Sequence, residues 1–146
     1  MPTRVARVYL PFGASDNPSK MIPQAVAALR DQRPMDLSPC TQRRDLIGVG
    51  DLCNGYLALA ADLRRGRFEI FNLGSGEAIA LRDFLLAIAG RLGADPAVLR
   101  FGARPMRPGE PEVSVGDNAK ARHWLDWMPR PLEQAVDEDL LGTVDA

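Results

Sequence analysis

Three short stretches of this chain carry residue types that suit a phosphate-bearing ligand. In Gln42-Arg43-Arg44-Asp45 a loop enters a strand. Neighbouring side chains on a strand point to opposite faces, so one of Arg43 and Arg44 can face a cleft. A guanidinium there binds phosphate through two parallel N–H donors; a surface pair with Asp45 is the bland alternative. In Arg107-Pro108-Gly109-Glu110 the Pro and Gly fix a turn, so a cation and a carboxylate are held with little entropy left to lose. That combination suits a ribose diphosphate, Arg107 for phosphate and Glu110 for ribose hydroxyls, and an ion pair that only ties the loop is the competing reading. Lys20-Met21-Ile22-Pro23 stands at the mouth of a helix. Free N–H groups beside a cation suit a phosphate or a nucleotide base, and an ordinary helix start would look the same.

A fourth stretch, Phe71-Asn72-Leu73-Gly74-Ser75-Gly76, has the composition of a phosphate-cradling turn. It lacks the full dinucleotide fingerprint and follows a strand in mid-chain, so it reads as a tight turn. The next helix has Ala80 where a Ser or Thr cap is expected, an omission worth roughly 1 kcal/mol.

Positioning these residues takes strands alternating with helices, which defines an α/β domain. Alternation of charged and apolar residues predicts a strand over Thr3 to Tyr9. A Pro/Gly/Asn/Ser-rich loop follows, Pro11 to Ser19. Ile22, Ala25, Val26 and Leu29 share one helical face, with Pro23 at its start and Pro34 beyond its end. Short strands are expected at Met35 to Ser38 and Arg44 to Val49. Asp51 should cap a helix whose apolar face is Leu52, Tyr56, Leu59, Ala60 and Leu63. Phe68 to Leu73 reads as a strand. Leu81 to Leu92 is the clearest helix, and Gly93 ends it. Val98 to Phe101 is a further strand. Asp117 caps a helix carrying Ala121, Trp124 and Leu125, and Pro131 opens a last one through Leu141.

Composition narrows the function. The 146 residues suit one domain, 25% charged and with net charge −1. That balance, with 6% aromatic residues, gives no basic field for nucleic acid. One histidine and two cysteines, Cys40 and Cys53, do not make a structural metal site. No apolar run is long enough to span a membrane, and no signal peptide is evident. Free thiols fit a reducing cytoplasm.

Taken in order, these stretches resemble the C-terminal half of the NAD-dependent epimerase/dehydratase family, the nucleotide-sugar branch of the extended short-chain dehydrogenases. The series runs Arg4-x-x-x-x-Tyr9-x-Pro11, Ile22-Pro23, Gln42-Arg43-Arg44-Asp45, Asp51, Phe71-Asn72-Leu73-Gly74-Ser75-Gly76, Arg107-Pro108-Gly109-Glu110-Pro111, Asp117-x-x-Lys120 and Leu125-x-Trp127-x-Pro129. Asp36-Leu37-Ser38-Pro39 and Gly93-Ala94-Asp95-Pro96 look most like the CDP- and dTDP-sugar enzymes. The resemblance implies a small mixed α/β substrate-binding domain over residues 1–146, plus the last strand elements of a truncated Rossmann-type fold. It implies that the N-terminal NAD-binding domain is absent. By the same resemblance Arg44 and Arg107 grip the diphosphate and Glu110 holds the ribose. Lys20, Met21, Ile22 and Pro23, with the strand around Leu37, line the nucleotide.

Two features of the family are missing. No glycine fingerprint follows an N-terminal strand, and neither Tyr9 nor Tyr56 has a lysine four positions on, so the Tyr-x-x-x-Lys pair is lacking. The chain is therefore expected to hold no catalytic residue and no cofactor by itself; NAD(P) is implied for the intact family. Where the family has Asn, Gly, an aromatic residue and an acid, this chain has Arg7, Leu10, Gly48 and Gly50. Loss of a buried ring at Gly48 would cost several kcal/mol. Two readings follow. One is the NDP-sugar-binding part of an epimerase or dehydratase, inactive alone and acting with an NAD-binding partner chain. The other is a non-catalytic nucleotide-binding or homodimerising module.

Overall fold

The computed structural model describes residues 3–62 and 68–142. The chain divides into two compact units: residues 1–14, 45–78 and 114–146 form the first, and residues 15–44 and 79–113 the second.

In the first unit, strands β1 (Thr3–Val8) and β6 (Phe68–Leu73) pair in parallel, Thr3 opposite Phe68 and Val8 opposite Leu73. The two-residue period of β6 sends Phe71 and Leu73 inward, both fully buried, and leaves Phe68 and Ile70 exposed. Strands β2 (Leu10–Phe12) and β5 (Leu46–Gly48) form a second parallel pair. Helix α2 (Val49–Ala61) leaves β5 directly. Its Leu59 joins Ile47, Phe71, Leu73, Ala121 and Trp127 in the core. Helix α4 (Ala119–Leu125) has Asn118 and not the expected Asp117 as its N-cap; the Asp117 carboxylate, one residue earlier, accepts from the Ala119 N–H at 2.9 Å. Its Lys120 reaches Glu69 at 2.6 Å and lies over the Phe71 ring, 4.5 Å from the centroid. Helix α5 (Leu132–Ala135) continues into a π-helical turn, Val136–Leu141.

Four expectations are corrected here. The segment taken as loop from Pro11 starts as strand β2. The strand expected over Arg44 to Val49 is two short strands broken at Asp45. Asp51 lies inside the first turn of α2, whose N-cap is Gly48. The Arg130 side chain draws it inward: Nε donates to Asp51 Oδ1 at 3.0 Å, and Trp127 Nε1 donates to the Asp51 carbonyl. The Asp51 carboxylate pushes the guanidinium further above its already high ordinary range. The buried face of α2 is consequently Asp51, Gly55 and Leu59, while Tyr56 is 49% exposed. Leu63 lies outside the described residues.

The fourth concerns Gly48, which leaves no void. A Cβ there would overlap Asp139 Oδ2 and stand 2.9 Å from the Ala135 Cβ. Gly50 is equally confined: a Cβ there would stand 2.7 Å from Arg130 Nη2, and its N–H donates to Asp139 at 2.9 Å. The C-terminal helical segment fills the space that an aromatic ring would need.

The second unit is built on two helices. Helix α1 (Met21–Arg30) buries Ile22, Ala25, Val26, Ala28 and Leu29. It packs on α3 (Leu81–Leu92), which buries Leu81, Phe84, Leu85, Ile88 and Ala89 and ends at Gly93 with φ 59°. Strands β3 (Met35–Leu37) and β8 (Leu99–Phe101) pair in parallel beside them. Strand β4 (Arg43–Arg44) pairs antiparallel with β7 (Ile79–Ala80). The absent cap at Ala80 is replaced by backbone: Leu81 N–H donates to the Gln42 carbonyl at 3.1 Å and Arg82 N–H to the Cys40 carbonyl at 2.8 Å. Two of the helix's four free N–H groups are thus satisfied, so the expected loss does not arise. Among the described residues no helix is long and apolar enough to cross a membrane.

Candidate functional site

All eight residues singled out for ligand binding fall in the second unit. The geometry centres on Glu110. Arg44 Nη2 donates to Glu110 Oε1 at 2.8 Å, and Gln42 Nε2 donates to the same oxygen at 3.2 Å. Arg43 and Arg44 do point apart on β4: Arg43 is exposed, whereas the Arg44 side chain is 13% accessible. Arg44 Nη1 also donates to the Arg43 carbonyl at 2.8 Å and to the Glu112 carbonyl at 3.5 Å. The guanidinium is therefore fixed at one end, as a preorganised cation must be.

Arg107 lies on the turn that carries Glu110. The Glu110 N–H donates to the Arg107 carbonyl at 3.3 Å, and Gly109 has φ 74°. Pro followed by a left-handed Gly is the pattern of a type II turn, which only Gly or Asn fits readily. The Arg107 side chain is exposed and makes no hydrogen bond or ion pair among the described residues. Glu110 bonds Arg44, not Arg107, so this turn presents a cation with its charge unspent.

The mouth of α1 is a separate feature. Lys20 is the N-cap residue, and its ammonium pairs with Asp16 at 2.8 Å, which holds the Asp16 carboxyl below the usual range. No side chain caps this helix and no acid stands in its first turn. Met21 and Pro23 are half-buried, while Ile22 and Leu37 are core residues, 6% and 5% exposed. The Leu37 carbonyl already accepts from the Arg104 N–H at 3.0 Å. No hydrogen bond or ion pair joins the Lys20 mouth to the Arg44–Glu110 pair among the described residues.

Asp45 has a role that its neighbours in sequence did not suggest. It is 1% exposed and does not pair with Arg44. Its carboxylate accepts from Ser75 N–H (2.6 Å), Ser75 Oγ (2.8 Å), Gly76 N–H (3.2 Å) and Gly116 N–H (3.1 Å). A Cβ on Gly74 would overlap that carboxylate. The glycine-rich turn thus binds an anion from within the protein, and its N–H groups are spent. It does not fit the pyrophosphate of a dinucleotide. Gln42, part of the motif but given no role of its own, was also missed; nothing in the sequence separates a buried Gln from an exposed one.

The sequence pattern of the NAD dependent epimerase/dehydratase family matches residues 1–74. The chain belongs to that family, in which strand β1, the Arg44-Asp45 step and the Phe71–Gly74 strand end fall within the match. Among curated relatives, the UDP-glucose 4-epimerase of Mycoplasma genitalium is 32% identical over 92% of this chain and 43% of its own length. That of Mycoplasma pneumoniae is 29% identical over 94% of this chain and 44% of its own length. The chain therefore spans less than half the length of these relatives. Among solved structures, UDP-glucuronic acid 4-epimerase from Bacillus cereus, in complex with UDP-glucuronic acid and NAD, superposes with a TM-score of 0.81 at 21% identity. That match covers 95% of this chain and 44% of the other. The dTDP-glucose 4,6-dehydratase from Streptomyces venezuelae gives 0.78 at 25% identity, over 93% of this chain and 43% of the other. The α/β fold is that of the Rossmann-type epimerases and dehydratases.

Proposed function

We propose that residues 1–146 form the nucleotide-sugar-binding part of an NAD-dependent epimerase or dehydratase, with Arg44, Arg107 and Glu110 as its nucleotide-binding groups. The observation that carries this reading is the arrangement on Glu110: a half-buried Arg44 locked to it, and an uncommitted Arg107 on the same turn. Arg107 takes the diphosphate, with Arg44 behind it, and Glu110 takes a ribose hydroxyl. The N-terminal mouth of α1, from Lys20 to Pro23, and the strand around Leu37 line the nucleotide. Uridine is the base to try first, because the relatives aligned over more than nine-tenths of the chain are UDP-glucose 4-epimerases.

In this reading the 146 residues alone turn over no sugar, and NAD and the proton-transferring pair come from a further polypeptide segment or a partner chain. A reducing cytoplasm would keep Cys40 and Cys53 as the free thiols they are here. The test is calorimetric titration with UDP, with Arg107→Ala as control. Loss of one exposed charge-assisted contact should weaken binding about tenfold. Equal affinity in the variant removes Arg107 and the reading built on it.

A second reading, a non-catalytic module that pairs with another polypeptide, is favoured by one observation. Parallel sheets are normally covered on both faces, yet Val5, Phe68 and Ile70 on one face of the β1–β6 pair are 38%, 64% and 36% exposed. Light scattering that finds only monomer at high concentration would remove it.

A further inference from the structure

The carbonyl oxygen of the Gln42 side chain is buried without a donor, and it is the one buried side-chain polar atom among the described residues in that condition. Gln42 is 6% exposed, so solvent does not routinely reach it. Buried acceptors nearly always find partners, and an orphan one asks for an explanation. Turning the amide over gives no relief. Nε2 donates to Glu110 Oε1 at 3.2 Å, and the reversed amide would set a carbonyl oxygen against a carboxylate. The orphan oxygen shares its carbon with Nε2, and therefore sits beside the Glu110 carboxylate that Arg44 also holds.

We infer that Gln42 is a further ligand-binding residue: its Oε1 accepts a hydroxyl of the bound nucleotide's ribose, next to the hydroxyl that Glu110 accepts. The inference rests on the nucleotide-sugar reading above and deepens it. A ribose cis-diol offers two O–H donors side by side, and Glu110 and Gln42 present two acceptors on adjoining side chains. Arg44 keeps the carboxylate in place, and the Gln42 amide N–H fixes the angle between the acceptors. Because Oε1 is sealed when no ligand is present, the diol reaches it with the Arg107–Glu110 turn displaced outward. That turn is closed by a single 3.3 Å hydrogen bond, and Arg107, Pro108 and Gly109 are exposed.

The experiment is a two-by-two cycle in calorimetry. The unaltered chain and Gln42→Met, which keeps the length of the side chain and removes its polar atoms, are each titrated with UDP and with 2′,3′-dideoxyuridine diphosphate. Gln42→Met should weaken UDP about tenfold, the loss of one hydrogen bond, and the dideoxy compound by less than about twofold on the same scale. An equal loss for both nucleotides means that Gln42 acts without the ribose hydroxyls, and a loss of UDP affinity that disappears in a Glu110→Ala background means that it only props Glu110; either result ends the inference while the nucleotide-sugar reading stands. No UDP binding by the unaltered chain overturns that reading and the inference together. If Gln42→Met does not fold, carbon-13 labelling of the Gln42 amide carbonyl in the unaltered chain decides the matter. Its resonance should shift with UDP and stay in place with the dideoxy compound; the same shift with both overturns the inference.

Discussion

The second unit carries ten lysines and arginines against seven acids, the first eight against twelve: +3 and −4, together the chain's −1. Among the described residues of the first unit, three cations are spent on structure. Arg4 bonds Asp62, Lys120 bonds Glu69, and Arg130 bonds Asp51, Asp139 and Glu138. Each contact ties one element to another, and the acids concerned, Glu138 apart, are largely shielded from water. The second unit keeps Arg107 unpaired on an exposed turn and builds a half-buried pair, Arg44–Glu110, around an amide with an acceptor to spare. Ion pairs that fasten elements should govern stability, and uncommitted cations should govern affinity.

The largest effect expected is on the fastening side. Arg130→Ala leaves Asp51, 3% exposed, and its neighbour Asp139 without their cation. Removing one partner of a buried pair costs about 3 kcal/mol or more, since the other charge stays desolvated. Urea unfolding should register that loss, while the UDP affinity of the folded fraction stays within about twofold. A drop in affinity with stability intact would reverse the division proposed between the units.

Gly48→Phe comes next, and its sign is informative. The family pattern that the sequence resembles, with its aromatic residue here, implies that the ring would restore packing. The close approach of Asp139 and Ala135 says that it would be expelled, together with the contact between Asp139 and the Gly50 N–H. Overpacking of this kind costs about 1–3 kcal/mol, visible as a lowered thermal midpoint. A raised midpoint would show that the C-terminal segment yields.

How much of this was legible beforehand follows the same physics. Helices α1 and α3 were placed within a residue or two because their stripes are long and regular, and β6 because an apolar run ends in glycines. The motif order gave the family and the α/β fold. Departures from the expected pattern occurred where a distant residue decided the local outcome. Asp51 looks like a cap until Arg130, far along the chain, draws it inward. Asp45 looks like the partner of Arg44 until four donors from Ser75, Gly76 and Gly116 take it. Ala80 looks uncapped until the Cys40 and Gln42 carbonyls reach its helix. Glycine at 48 and 50 reads as a departure from the family pattern, at 48 with packing lost, whereas both positions are confined by close approach. Spacing in the sequence reports period and order; it does not report which long-range partner fills a space.

The smallest effect separates the two units by their thiols. Cys53, exposed on α2, lies in the first unit, and Cys40, 1% exposed at φ 54°, lies in the second. Burial pushes the Cys40 thiol above its ordinary value, against the weaker opposing effect of the Ser38 hydroxyl. A group raised on folding contributes stability that is full below its unfolded pKa and is lost as pH rises through the folded one. Stability should therefore decline in alkali above about pH 9, by at most about 1.4 kcal/mol per pH unit from this group. The part due to Cys40 is the difference between the unaltered chain and Cys40→Ala, whose unfolding curve should be flatter there. At neutral pH a thiol reagent should modify Cys53 at once and Cys40 only as the second unit opens. Saturating UDP should slow the Cys40 reaction and leave that of Cys53 unchanged, because ligand bound to Gln42, Arg44 and Glu110 stabilises the segment that buries Cys40. Equal slowing of both thiols would mean that the nucleotide fastens the first unit as much as the second, and the contrast between them would have to be abandoned.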